Sequence, residues 1–312
     1  ADNRTVSGRI EGDFHAMVDT RTPSNSSFSG TLAGQGVHIL DATPAPIEVV
    51  RFAVAGSAGR LTIEPSEVSL GNSRMVVHGS VVRSDSGLEI DLDVDADRLD
   101  EELILMAQPA DNKAASAPKK AVEKSSFRPH GVVRVNADEF SYKDYTWHQV
   151  QGDVRLNGDS TRIQIDQANL CGIDTTGWLV LSPRGVSLNI VPKAEAASLQ
   201  EVAECLLGKT VRAEARYYLS GQLWMPETRT DILPSLSGDL FFSSENGRID
   251  YSNVLMKIFS VLNIAEVFSG KSDLTEEGYG YAQCYAKVEI DGGQLHFNEI
   301  LLDGNSLKLT GQ

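Results

Sequence analysis

No stretch of the chain reaches the run of about 18 apolar residues that a membrane-spanning helix needs. The opening "ADNRTVSGRIEGDF" also lacks the basic and greasy regions of an export signal. Basic charge is scarce: 28 Lys and Arg stand against 43 Asp and Glu, a net charge of −15. Such a chain repels phosphate backbones, and no basic stripe interleaves with aromatics, so no nucleic-acid partner is expected. The chain begins inside one strand-like pattern and stops inside another at "LKLTGQ". We therefore expect a segment of a longer protein whose anchor or targeting signal lies outside it.

The signatures of chemistry are missing too. There is no G-x-S-x-G elbow and no phosphate cradle of the form G-x-x-x-x-G-K-[ST]. The six histidines, His15, His38, His78, His130, His148 and His296, stand singly, without a spacing that sets two on one helix face. Adjacent carboxylates such as Asp138 and Glu139 carry no separation or burial that would mark an acid–base pair. No catalytic residue, metal site or cofactor is expected. Three cysteines, Cys171, Cys205 and Cys284, form no C-x-x-C pair. Either they are buried thiols, or Cys171 and Cys205 close a loop of about 34 residues, worth roughly 3–4 kcal/mol in an oxidising compartment.

What is present is alternation. "GLEIDLDVDAD" (87–97) places Glu89, Asp91, Asp93, Asp95 and Asp97 on one parity and Leu88, Ile90, Leu92, Val94 and Ala96 on the other. The acids fall near a calcium-loop spacing with Glu102 at the twelfth place, but Ala96 stands where the sharp turn needs glycine. A strand with one wet and one greasy face is the better reading. "VRAEARYYLSG" repeats it with Val211, Ala213, Ala215, Tyr217 and Leu219 together, and "YAQCYAKVEI" with Ala282, Cys284, Ala286, Val288 and Ile290. Turn residues separate about 14 to 17 such strands, most joined by short hairpins, which predicts a largely antiparallel sheet.

A weak internal repeat agrees with this. "LTIEPSEVSLGNSRMVVHG" (61–79), "IQIDQANLCGIDTTGWLVL" (163–181) and "LHFNEILLDGNSLKLTG" (295–311) each read as a strand with a polar break, a turn and a second strand. Helices are few. "SLQEVAECLLGKT" has Ser198 and Glu201 at capping-box spacing and Gly208 near its end. "YSNVLMKIFSVLNIAEVFSG" gathers Leu255, Ile258 and Leu262 on a broad apolar face, and a shorter helix is expected after Asp100. Residues 107–127, rich in Ala, Lys, Ser and Pro, read as a flexible linker between a strand-rich segment, 1–106, and a larger region, 128–312.

The expected fold is mostly β: an elongated, curled, largely antiparallel sheet with two or three short helices. Its greasy parity is either the inner layer of a packed sandwich or the lining of an open trough. For a trough, the lining residues are Leu92, Val94, Val211, Ala213, Ala215, Ala282, Ala286 and Val288, whose small members leave room inside. The helix carrying Leu255, Ile258 and Leu262 plugs the sheet as core, or gates the trough or meets a partner.

Towards the end of the chain the residues resemble a known family. Gly247, Ile249 and Asp250, the following "VLN" (Val261, Leu262, Asn263), the "EGYGY" turn ending at Gly278 to Tyr281, "DGGQL" and "LLDGNSLKLTG" are similar to the closing region of AsmA-like proteins, relatives of TamB. The likeness covers about 77 residues, with "CGIDTTG" and the Cys205 helix a looser match. It rests on turns and strands rather than on catalytic signatures. The resemblance implies a periplasmic protein of the Gram-negative envelope, anchored in the inner membrane. It further implies a hydrophobic groove for phospholipid acyl chains, like that of bridge-like lipid-transfer proteins, with envelope proteins as further partners. A scaffold for outer-membrane protein assembly, capturing strands on exposed sheet edges, is the rival expectation. The chain departs from the family in having no amino-terminal anchor and in ending before the strands expected after "LKLTG".

Overall fold

The computed structural model describes residues 6–17, 19, 25–39, 46–57, 59–84, 87–100, 129–208, 213–228, 233–249, 279–304 and 308–311. Most of them are strand. The first eight strands are β1 (Val6–Met17), β2 (Ser27–Ile39), β3 (Ile47–Ser57), β4 (Arg60–Leu70), β5 (Ser73–Ser84), β6 (Gly87–Asp100), β7 (His130–Tyr142) and β8 (Tyr145–Asn157). There follow β9 (Ser160–Leu170), β10 (Ile173–Ser182), β11 (Gly185–Ser198), β12 (Ala213–Thr228), β13 (Ser237–Ile249), β14 (Tyr279–Asp291), β15 (Gln294–Gly304) and β16 (Lys308–Gly311). One α-helix, α1 (Leu199–Leu207), lies between β11 and β12. It is the only α-helix among the described residues; the expected helices after Asp100 and around Leu255, Ile258 and Leu262 fall outside them.

The chain forms two compact units, residues 1–168 with 178–183, and residues 169–177 with 184–312. Within each, the described strands form a single layer and hydrogen-bond in chain order. Most strands close on their predecessor through a short turn, so the meander is the arrangement with the least loop to order. Among the junctions, β6 and β7 depart from the expected antiparallel pairing and run parallel, Leu92 opposite Val133 and Ala96 opposite Ala137. A parallel pair cannot be joined by a tight turn, which is why a long connection, 101–129, separates these strands in sequence. The expected linker lies in that connection, outside the described residues, and the strands flanking it pair directly inside the first unit.

The repeat is a repeat of hairpins, each copy spanning two consecutive strands: β4 and β5, β9 and β10, β15 and β16. In the first copy the polar break is a bulge. Ile63 opposes Gly79 and Ser66 opposes Val77, so Glu64 and Pro65 together face one residue of β5. Proline removes a ladder donor and is tolerated at such a position. In the third copy Asn298 is likewise the extra residue, between Phe297 opposite Val288 and Glu299 opposite Lys287.

Candidate functional site

Register carries the greasy parity from strand to strand, because residues directly opposite one another share a face. In the first unit one row runs Gly12, Leu32, Val54, Ile63, Gly79, Leu92, Val133, Val154 across β1 to β8. At about 4.8 Å per strand it is about 34 Å long. A parallel row joins Val68, Met75, Ala96, Ala137 and Val150. The opposite face along the same strands is polar, with Asp13, Thr31, Ala55, Thr62, Ser80 and Asp91 in register.

The second unit repeats the arrangement. Ala194, Leu219, Phe242, Ala286 and Ile300 form one apolar row across β11 to β15, and Gly221, Leu240, Val288 and Phe297 form its neighbour. On β12 the alternation is complete: Ala213, Tyr217 and Met225 are buried, while Glu214, Arg216, Tyr218, Ser220, Gln222 and Trp224 are exposed. The larger apolar members of the rows, Leu32, Val54, Ile63, Leu92, Val133, Leu240, Phe242, Val288 and Ile300, are only half-buried. Between the sheets of a sandwich the inner face is sealed.

The expected lining residues divide accordingly. Leu92, Val94, Ala286 and Val288 lie half-buried in the apolar rows, and Ala213 is buried. Ala282 is exposed: the β14–β15 register shifts between Tyr281 and Gln283, and the neighbouring Tyr281, 4% exposed, takes the buried place. Ala215 does not leave space, because a Cβ on Gly247 would meet Ala215 Cβ at 2.8 Å and the Tyr281 ring at 2.3 Å. That ring fills the gap the two small residues make. Val211, like Leu255, Ile258 and Leu262, lies outside the described residues.

One end of the second unit's apolar face is covered by α1. Ser198 caps the helix by accepting from the Glu201 amide, and Gly208 ends it in the left-handed conformation, as the sequence predicts. Val202 turns inward onto Ala194 and Tyr217, with Leu199, Leu219, Phe242 and Ile173 packed around them. Cys205 is disulfide-bonded to Cys171, at a Cα separation of 5.7 Å, which ties α1 to the turn between β9 and β10. Of the two alternatives for these cysteines, the bridge is the one the structure takes.

A polar cluster inside this greasy surface escaped the sequence reading. Ala197, Tyr217, Ser244, Cys284 and Leu302 share one cross-strand row. Ser244, fully buried, donates to the Arg216 carbonyl at 2.7 Å, and its Oγ lies 2.8 Å from Tyr281 Oη. Tyr217, 2% exposed, stacks on Phe242 at 5.7 Å, and its hydroxyl has no hydrogen-bond partner among the described residues. Burial pushes the Tyr217 and Tyr281 phenols above their ordinary range and the Cys284 thiol up to about 11. All three are neutral at physiological pH. Because these positions fall on the apolar parity, nothing in the pattern distinguishes their hydroxyls from ordinary core aromatics.

The charged parity is held by cross-strand pairs. Arg134 bonds Asp91 and Asp93, Asn136 bonds Asp95, and Arg98 bonds Glu139. Asp91, Asp93 and Asp95 are thus paired with β7, and no group of three or more His, Cys, Asp and Glu among the described residues is placed to hold a metal ion. In the first unit a shallow cleft of about 480 Å³, between Arg155, Leu156, Arg162 and Val180, opens at the strand ends. No helix among the described residues is long and apolar enough to cross a membrane. Compared with known proteins, the chain matches no family model, no curated protein and no solved structure.

Proposed function

We propose that the chain is a non-enzymatic lipid-binding and lipid-transfer module, in which the apolar face of each unit is the wall of an open trough for acyl chains. The observation that carries this reading is the half-burial of the large apolar side chains in single-layer rows that run unbroken across eight strands in one unit and five in the other. Moving an acyl chain from water onto hydrocarbon gains roughly 0.8 kcal/mol per methylene, so such a face removes the barrier that keeps lipids from crossing water. The charged opposite parity keeps the sheet soluble and discourages pairing with other sheets.

The disulfide is supported by an oxidising compartment. Together with the resemblance of the 236–312 region to AsmA-like proteins, it favours the periplasm, an envelope protein anchored in the inner membrane, and envelope lipid homeostasis as the role. The rival reading, an assembly scaffold for outer-membrane proteins, draws on β1, an edge strand among the described residues, where Ile10 and Met17 are 51% and 56% exposed.

Mass spectrometry of organic extracts from natively purified protein separates the two. Stoichiometric co-purified phospholipid is expected. Lipid-free protein that instead captures unfolded barrel strands would overturn the transfer reading in favour of assembly.

A further inference from the structure

The closed position of α1 leaves two things unbalanced. The helix has nine residues, marginal on its own in water; among its side chains of described burial Val202 is the buried one, Leu199 is half-buried against the same cluster, and Cys205 and Leu206 are exposed. The bond from Cys205 to Cys171 fastens it to the turn between β9 and β10. Tyr217 packs with Val202 in the cluster that the helix covers, and its hydroxyl is buried with no hydrogen-bond partner among the described residues. A buried donor left unpaired is unfavourable, so the closed arrangement carries a penalty within the cluster that α1 covers.

We propose that α1 is a disulfide-tethered lid over an acyl-lipid socket formed by Ala194, Leu219 and Phe242, in which Tyr217 donates its hydroxyl hydrogen to a carbonyl oxygen of the bound lipid. Lifting α1 uncovers an apolar surface continuous with the row Ala194, Leu219, Phe242, Ala286, Ile300. An acyl chain laid along that row meets Tyr217 one cross-strand row away, at Ser244 and Cys284. Ser244 and Tyr281 satisfy each other, so Tyr217 is the donor left for the ligand. Its raised pKa keeps it protonated and able to donate. The bridge between Cys171 and Cys205 sets how readily the lid lifts. The inference rests on the lipid-binding reading and adds to it a specific contact and a gate.

The test uses the whole chain, with NBD-labelled phosphatidylglycerol and NBD-labelled free fatty acid as probes and hydrogen exchange of residues 199–207 as a separate readout. In a Cys171→Ser, Cys205→Ser double variant, exchange of α1 is expected to rise and probe binding to tighten. Adding Tyr217→Phe to that background is expected to weaken binding of both probes by roughly three- to tenfold, the range of one neutral hydrogen bond. Tyr217→Phe alone is expected to leave the melting midpoint unchanged or raised, whereas a tyrosine with a structural partner would lose stability. A preference for the free acid would assign the acceptor to a carboxylate rather than to an ester carbonyl, and both belong to the proposal. Unchanged α1 exchange in the double serine variant overturns the lid, and probe binding indifferent to Tyr217 overturns the socket. Absence of probe binding in every protein removes the lipid reading itself, a result distinguishable from the other two.

Discussion

Arg134 on β7 donates to Asp91 at 2.8 Å and to Asp93 at 3.2 Å, bridging two carboxylates across the parallel junction with β6. Asp91, Asp93 and Asp95 stand on one face of one strand, and without a cation their mutual repulsion would oppose the pairing. Arg134→Ala is therefore expected to destabilise the first unit by about 0.5–1 kcal/mol at low salt, a value suited to exposed pairs. Urea unfolding at low and at high ionic strength checks this, because screening shrinks repulsion. A salt-independent loss would assign the effect to packing of the arginine stem instead.

Gly79 sits in the apolar row of the first unit with φ +135, and a Cβ there would lie 2.2 Å from the Asp91 carbonyl oxygen. Both the backbone conformation and the approach of β6 demand glycine. Gly79→Ala is expected to cost at least about 2 kcal/mol. Chemical denaturation reads it, and a variant as stable as the parent would show that β5 and β6 are not held this close in solution.

A charge placed on the two parities should act oppositely. Ala286→Glu puts a carboxylate in the half-buried apolar row, whereas Gln222→Glu adds one to the exposed face. With both proteins folded by circular dichroism, co-purified phospholipid is expected to fall severalfold in the first and to stay at the parental level in the second. Equal lipid in the two proteins would remove the apolar rows from the binding surface.

Acid should weaken the second unit through Glu299, whose carboxylate accepts from Lys287 and from Tyr285, the latter at 2.6 Å. Lys287 and then Tyr285 hold its pKa below the ordinary glutamate value. A depressed folded pKa gives stability that is present above the unfolded value, about 4.3, and is lost as the pH falls through the folded value. Melting midpoints followed from about pH 6 to pH 3 are expected to fall less steeply in Glu299→Gln than in the parent. Superimposable acid limbs would show that the pair contributes nothing measurable, as is common for exposed ion pairs.

The alternation in 87–97 and in 213–219 was legible without coordinates, because period-2 burial is a local property of an extended chain with one wet face. The same is true of α1, whose start at Ser198 and stop at Gly208 are written in capping residues. Ala282 was misjudged for the reason that makes sheets hard to read: a single shift of register, between Tyr281 and Gln283, exchanges one face for the other.

By itself, then, the order of residues determined that the chain forms strands with a greasy and a charged parity, and where its turns and the α1 helix fall, since these depend on neighbours along the chain. Only the tertiary structure decided the register between strands and which strands meet across the long connections. The parallel meeting of β6 with β7, the bond between Cys171 and Cys205, the Tyr281 ring filling the space at Gly247, and the packing of Tyr217 with Val202 of α1 all join residues well separated in sequence. Contacts of that kind are set by register and packing between strands, which no local pattern encodes.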